Sequence, residues 1–263
     1  MEKVKNHTFV ICAYKENKFL ENCIQSLIDQ TVQSEIIICT STPNNHISQL
    51  AQKYNLKMFI NMNESSLSGD WNFAIQSVNT EYFTICHQDD YYYDKYLENV
   101  MHQIEKVDKC IFVYTNYVEH KNSGICYTNL NMKIKNILNY MMRFKFFRSN
   151  VFLRRRVLSL GNPICCPSVT YNKSYINDNF FDVNFKNAAD WDAWERLSRK
   201  NGHIIYVPEQ LMAHRIYEES TTSQNIKDNT RSNEDLIIFK RFWPSFIAKP
   251  LAKLFQLSEK NNG

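Results

Sequence analysis

Over its first 117 residues the chain alternates short runs of β-branched and aromatic residues with stretches of helical period, and that alternation leaves few folds open. Thr8-Phe9-Val10-Ile11-Cys12-Ala13 reads as a buried strand. From Phe19 to Gln30, Leu20, Cys23, Ile24, Leu27 and Ile28 then fall at helical spacing. Residues 35–39, 57–60 and 82–86 repeat the strand pattern, with helical patterns over 46–54 and from Gly69 to Val78 between them. Strands alternating with helices imply a parallel sheet with right-handed crossovers, here a Rossmann-like nucleotide-binding half. Beyond it, 95–107 reads as a helix, 110–117 as a strand and 163–171 as a strand returning to the sheet. Residues 190–200 form an amphipathic helix with Trp191, Trp194 and Leu197 on one side, ended by Gly202 and followed by a short strand at 204–207. The stretch 233–257 reads as helical but broken at Pro244 and Pro250.

Composition narrows the class. At 263 residues and 44% hydrophobic, the chain has room for one large α/β domain with a helical appendage. Five Gly and six Pro exclude a repeat or low-complexity protein. No stretch approaches the roughly 18 apolar residues of a membrane span, and the first residues lack the apolar core of a signal peptide. The eight cysteines lie scattered, most in apolar runs, and Cys165-Cys166 lacks metal-ligand spacing. Reduced thiols in a cytoplasmic protein are the expectation. Charge is unevenly placed: between His120 and Asn177 there are ten Lys or Arg and no acid, which leaves 21 basic residues elsewhere against all 27 acidic ones. A cationic block of this kind suits an anionic partner or surface.

Directly behind the apolar run at 82–86 stands His87-Gln88-Asp89-Asp90. In open α/β sheets ligands bind outside the carboxyl ends of the strands. Adjacent carboxylates there repel unless a cation or hydrogen bonds neutralise them. Hard oxygen ligands suit Mg²⁺ or Mn²⁺, ions often shared with substrate phosphates. The ordinary alternative is an acidic turn in which Asp90 caps the next helix.

Order and spacing together resemble a nucleotide-sugar glycosyltransferase of family 2, over about residues 7–222. The strongest match is Phe9-Val10-Ile11-Cys12-Ala13-Tyr14-Lys15-Glu16, followed by Phe19-Leu20-Glu21-Asn22-Cys23-Ile24-Gln25-Ser26-Leu27-Ile28-Asp29-Gln30-Thr31. The resemblance implies a GT-A fold: a Rossmann-like, mostly parallel α/β sheet flanked by helices, here with a C-terminal helical extension. It implies that Ala13, Tyr14 and Glu16 flank the nucleoside, where an aromatic ring can also stack on a base. The family's acidic turn after the second strand is replaced by Thr40-Ser41-Thr42-Pro43, whose hydroxyls remain candidates for a base or ribose. Gly69-Asp70-Trp71-Asn72 resembles the Arg-Asn helix start, with Trp71 in place of Arg and Asn72 matching; a plain N-cap at Asp70 is the alternative. His87-Gln88-Asp89-Asp90 aligns with the Asp-x-Asp-type metal motif, with His87 replacing its first Asp. Asp89 is then the metal ligand, Gln88 and Asp90 lie beside the donor, and the imidazole tilts the choice toward Mn²⁺ over Mg²⁺.

Asn187-Ala188-Ala189-Asp190-Trp191-Asp192 looks like the family's acidic helix start, whose Asp supplies the catalytic base. That role falls on Asp190, with Asp192 as second candidate. Acids two residues apart do not share a helical face, so one can meet the acceptor while the other braces the helix. Ala213-His214-Arg215-Ile216-Tyr217-Glu218-Glu219-Ser220 resembles the closing loop, which puts Arg215, then His214, near the diphosphate.

The expected function is an inverting hexosyltransferase moving sugar from a nucleoside-diphosphate sugar, UDP-sugar favoured, to a glycan or lipid-linked glycan hydroxyl in bacterial surface polysaccharide synthesis. Its rival is a non-catalytic nucleotide-binding scaffold of the same fold. Residues 1–120 would form the donor half, 121–222 the acceptor half with a basic insert at 131–160, and 223–263 a helical extension. The insert, including Arg154-Arg155-Arg156, suits an anionic membrane face or a lipid-linked acceptor. No nucleic-acid module accompanies it.

Overall fold

A computed structural model describes residues 3–217 and 230–260. Strands β1 (Lys3–Ala13), β2 (Gln33–Thr40), β3 (Lys57–Ile60) and β4 (Tyr82–His87) run parallel, with β1 between β2 and β4. Helices α1 (Leu20–Ile28), α2 (Asn45–Lys53) and α3 (Leu67–Ser77) supply the crossovers. The sheet continues through β8 (Val169–Asn172), antiparallel between β4 and β6 (Cys110–Lys121), then to β9 (His203–Arg215), parallel to β6. Two short strands complete it, both antiparallel to their neighbours: β5 (Tyr91–Tyr92) on β9 and β7 (Gly124–Cys126) on β6. The first half is the expected parallel sheet; the second is mixed.

Three departures from the sequence pattern trace to proline. The strand read at 163–171 shrinks to β8 because Pro167 sits in a 3₁₀ turn at Cys166–Ser168 and has no N–H for a ladder. The short strand at 204–207 runs on to Arg215, passing Pro208 at a shift in its register with β6. Pro250 does not break the last helix. Pro244 separates α9 (Thr230–Lys240) from α10 (Ser245–Lys260), but Pro250 lies inside α10. There Phe255 packs on Trp191 at 5.4 Å and on Phe239 at 5.9 Å, and that burial outweighs the local cost of the ring.

Both faces of the sheet are covered, which is why its strands read as continuous apolar runs. Val10, Phe83 and Ile85 face a core with Trp71, Trp191 and Trp194, while Phe9, Ile11 and Cys86 face one with Leu20, Ile24 and Tyr96. A polar thread crosses this interior: buried His7 meets Ser34 Oγ at 2.9 Å and Thr84 Oγ1 at 3.0 Å. Burial pushes the imidazole pKa down to about 3.

The cationic stretch divides between inside and outside. It forms α5 (Leu130–Tyr140), a 3₁₀ turn, α6 (Lys145–Ser149) and α7 (Val151–Leu158). Arg154 is buried against the C-terminal end of α8 (Ala189–Leu197), donating to the carbonyls of Ser198 (2.9 Å), Gly202 (2.5 Å) and Lys200. Arg155 bonds the buried Glu195 carboxylate at 2.6 Å, and Arg156 lies over Phe152 and Trp243. Arg154 and Arg155, expected at an anionic surface, therefore answer dipoles and an anion inside the molecule, while Arg156 rests on aromatic rings. Gly202 closes this end with φ 138°, and a Cβ there would lie 2.7 Å from the Lys109 carbonyl.

Replacing Arg154 by Leu leaves those carbonyls without their donor, with an expected cost of about 3 kcal/mol in urea denaturation. His7 gives a pH signature. Its proton is bound in the unfolded chain below about pH 6.5 but in the folded chain only near pH 3. Stability should fall by at most about 1.4 kcal/mol per pH unit as pH drops through that window, a component that His7→Gln removes.

Candidate functional site

The registers Ala13↔Thr40 and Cys12↔His87 set the loops after β1, β2 and β4 side by side at the carboxyl ends of their strands. Gln88 clasps the first loop: Tyr14 N–H donates to its Oε1 at 3.0 Å and its Nε2 donates to the Tyr14 carbonyl at 2.8 Å. Both ends of the amide are thus spent on backbone, and Gln88 shapes the loop instead of facing a ligand. Lys15 takes a left-handed φ of 54°, held by its N–H to Thr42 Oγ1 at 2.5 Å. Ala13 is buried, whereas the Tyr14 ring and Glu16 stand exposed above the strand ends.

Thr40 is buried and its hydroxyl accepts from Thr42 N–H at 3.1 Å, so it closes the turn. Ser41 points elsewhere, donating to Asp70 Oδ2 at 2.9 Å with Ser65 Oγ 2.8 Å from its own hydroxyl oxygen. Asp70 also accepts from Asn61 Nδ2 at 2.9 Å. A carboxylate from α3, Asp70, thus stands beside the end of β2. Asp70 is not the N-cap: α3 begins earlier, with Ser66 Oγ accepting from Gly69 N–H at 3.2 Å. Asn72 lies buried in that helix and pairs with the Phe181 backbone through both amide groups, each at 2.8 Å. It holds the 180s loop and is not offered to a nucleotide. Trp71 is also buried, stacked on His87 with centroids 5.6 Å apart and planes within 10°.

At the metal-type turn the two acids part. Asp90 is fully buried and accepts from Arg215 N–H at 2.8 Å and from His214 Nδ1 at 3.0 and 3.2 Å. It caps no helix: α4 (Tyr96–Ile104) starts with Lys95 at its N-cap. Burial alone would raise its pKa, but the His214 imidazole outweighs this and holds Asp90 below the usual carboxylate value. Burial likewise works against a charge on His214, and Asp90 reverses it, lifting His214 above the ordinary imidazole value. Asp89 is raised, by burial and then by the charge of Asp90. Its Oδ2 accepts from Tyr217 Oη at 3.1 Å.

Arg215 is not aimed at a diphosphate. Its Nε donates to the Asp89 carbonyl at 2.9 Å, a terminal nitrogen donates to Asn22 Oδ1 at 2.9 Å, and the guanidinium lies 4.0 Å from the Phe19 centroid. His214 is taken up by Asp90 in the same way. The two residues brace the turn from behind. Ser220, the other match in this loop, lies outside the described residues, as does the boundary expected at 222.

Among the described residues, His87, Asp89 and Asp90 form a group whose ligand-type atoms all lie within 4.8 Å of one another. Asp90 is already occupied by protein donors. His87 Nε2 is buried without a hydrogen-bond partner. Asp89 and His87 are therefore the donors that fit a divalent ion, and the nitrogen fits Mn²⁺ better than Mg²⁺.

Asp190 opens α8, with its Oδ1 accepting its neighbour Trp191 N–H at 2.6 Å and Oδ2 accepting from Asn162 Nδ2 at 3.3 Å. Asp192 is buried in ion pairs with Arg196 at 2.7 Å and Arg241 at 2.6 Å, so it braces the helix and has no lone pair turned to an acceptor. Burial, then the Asp190 carboxylate, push the Cys166 thiol well above its ordinary pKa, and Cys12 and Asp90 add to the rise.

Sequence reasoning passed over the groups that fix α8. Glu234 accepts from the backbone N–H groups of Lys186, Asn187 and Ala188 at 2.8–2.9 Å, tying down the three residues that lead into the helix start presenting Asp190. It sits on α9, and nothing local in its sequence marks it. Asn162 carried no signal beyond being a polar residue in a loop, whereas Tyr217 lies within the closing-loop motif, where it stands at the family's His.

Comparison with known proteins completes the picture. Residues 8–181 match the family described as Glycosyl transferase family 2. An uncharacterized glycosyltransferase of Rickettsia typhi is 23% identical over 247 residues, covering 92% of this chain and 71% of its own length. Another, from Haemophilus influenzae, is 22% identical over 239 residues, covering 85% and 69%. Among solved structures, S. aureus TarS 1–349 in complex with UDP-GlcNAc aligns with a TM-score of 0.65 at 14% identity, over 95% of this chain and 71% of that one. The mannosyltransferase PcManGT from Pyrobaculum calidifontis, in complex with GDP-Man and Mn²⁺, aligns with a TM-score of 0.66 at 11% identity, over 99% and 76%. At these identities the structural likeness carries the GT-A fold.

The two acids of the turn should separate in mutagenesis. Asp90→Asn strips the buried partner of His214 and is expected to cost about 3 kcal/mol or more in urea denaturation. Asp89→Asn, which relieves a like charge, is expected to change stability by less than about 1 kcal/mol.

Proposed function

This chain belongs to glycosyl transferase family 2, and on that premise we propose that it transfers a sugar, with inversion, from a nucleoside-diphosphate sugar to an acceptor hydroxyl. The observation that carries this reading is the side-by-side placing of exposed Tyr14, the Ser41–Asp70 pair and Asp89 at the strand ends. Asp190 opens α8, its carboxylate held by Asn162 Nδ2 at 3.3 Å. Tyr14 offers a ring to the base, and Ser41 with Asp70 offers the hydroxyl and carboxylate that a base or ribose requires. A UDP-sugar is the favoured donor; TarS was solved with UDP-GlcNAc, while PcManGT was solved with GDP-Man. A divalent ion on Asp89 and His87, Mn²⁺ by preference, would offset the charge of the diphosphate.

Asp190 accepts the proton of the acceptor hydroxyl as that oxygen bonds the anomeric carbon and the bond to the diphosphate oxygen breaks. The nucleoside diphosphate leaves from the opposite face, which inverts the centre. Asn162, donating to Oδ2, holds the carboxylate in position. In this reading residues 1–120 hold the donor, 121–222 the acceptor, and the extension from 223 clamps α8. A surface polysaccharide, or its lipid-linked precursor, is the acceptor in this reading.

The donor panel tests this directly. With Mn²⁺ present, calorimetry should find one of the UDP-, GDP- or TDP-sugars bound, and silence across all of them overturns the donor reading. Asp190→Asn should lower kcat about 100- to 10,000-fold while donor affinity holds. Asp89→Asn should remove the Mn²⁺ dependence of donor binding.

A further inference from the structure

Helix α5 is built the wrong way round for a helix that faces water. Its buried residues are Met132 and Asn139, on one side. On the opposite side Leu130, Ile134, Ile137 and Met141 recur at spacings of four, three and four residues, a single stripe along the helix and the turn after it. That stripe is exposed: Leu130 keeps 70% and Ile137 72% of its surface accessible. Tyr140, Phe144 and Phe146 extend it, also exposed, with the Tyr140 and Phe144 rings 6.0 Å apart.

The residues bordering the stripe are cations. Lys133 and Lys145 are exposed, and exposed Arg143 lies 5.5 Å from the Tyr140 centroid. No acid occurs between His120 and Asn177 to oppose them. Unlike Arg154 and Arg155, which bond buried carbonyls and a buried carboxylate, these three have no carboxylate partner among the described residues, although Arg143 also reaches the Tyr206 hydroxyl. A second copy of the chain would bring the same charges face to face, so self-association is disfavoured. A membrane-spanning role is excluded by size. At 11 residues α5 is about 17 Å long, and no helix among the described residues is long and apolar enough to cross a bilayer.

We infer that the outward face of α5 and the turn after it docks on an anionic lipid surface, with the apolar stripe entering the headgroup boundary and Lys133, Arg143 and Lys145 paired to lipid phosphates. Apolar stripe, flanking cations and interfacial tyrosine are the three components such docking uses. The buried side of α5 faces the candidate acceptor site: Asn139 Nδ2 donates to the Pro163 carbonyl at 3.1 Å, one residue from the Asn162 that bonds Asp190. That docking would present a lipid-borne acceptor to Asp190 rests on the function proposed above; the docking itself needs neither donor nor turnover.

Vesicle flotation of the full chain tests it. The protein should float with phosphatidylcholine vesicles containing about one-third phosphatidylglycerol at low salt, not with phosphatidylcholine alone, and be largely released at high salt. Each of Lys133→Gln, Arg143→Gln and Lys145→Gln should weaken partitioning about fivefold. Leu130→Ser with Ile137→Ser should abolish flotation at moderate salt, while Met62→Ser, at an exposed apolar residue elsewhere, should leave it unchanged. The emission that Tyr140→Trp adds to the protein should shift to the blue on binding. No flotation at low salt overturns the inference, as does equal flotation with neutral vesicles, or added emission in the Tyr140→Trp protein that vesicles leave unshifted. A dimer in solution that Ile137→Ser converts to monomer would assign the stripe to a second copy instead.

Discussion

The site depends on one buried carboxylate. Asp90 lies in the interior, where an unpaired charge would cost several kcal/mol, and its compensation comes from the end of a strand more than a hundred residues later. The Arg215 N–H and the His214 imidazole both reach it, so the turn after β4 and the end of β9 cannot move independently. Arg215 extends the same fastening through the Asp89 carbonyl to Asn22 on α1. The other half of the acidic pair, Asp89, is thereby placed by groups whose bonds run to the rest of the fold. Two adjacent acids that look equivalent divide the work: one holds, the other is presented.

A comparable fastening governs α8. Arg154 takes the carbonyls at its C-terminal end, Glu234 the N–H groups of the three residues leading into it, and Arg155, Arg199 and Arg241 converge on Glu195. These are charge-assisted bonds in a poorly solvated setting, where geometry is held most tightly. Their effect is to fix the first turn of the helix, and with it Asp190. The C-terminal helices and the turn between them, which carry Glu234 and Arg241, are part of that mounting.

The cationic stretch illustrates how one compositional feature serves two physical ends. Its arginines at 154–156 lie against internal acceptors and aromatic rings, while Lys133, Arg143 and Lys145 remain outside beside an apolar stripe. Sequence shows a block without acids but carries no mark of which side chain turns inward. Helical phase separates them only once it is known which side of α5 and α7 meets the sheet.

The strands, crossovers and order of the loops were legible because each is local: β-branched runs, helical spacing and turn residues act over a few positions. So was the presence of acids at the strand ends. Where proline interrupts a ladder or sits inside a helix, local rules misjudged the outcome, since packing of Phe255 on Trp191 and a register shift at Pro208 are tertiary events. The roles of Gln88, Asn72, Asp192 and Arg215 were illegible for a related reason. Each has the right chemistry for a ligand and stands in the right segment, but its hydrogen-bonding capacity is spent on a partner elsewhere in the fold. Sequence by itself determined the fold class and which segments border the site. Only the tertiary structure decided which polar groups remain available there, because satisfaction of a buried donor or acceptor is settled by the partners the fold brings within about 3 Å of it.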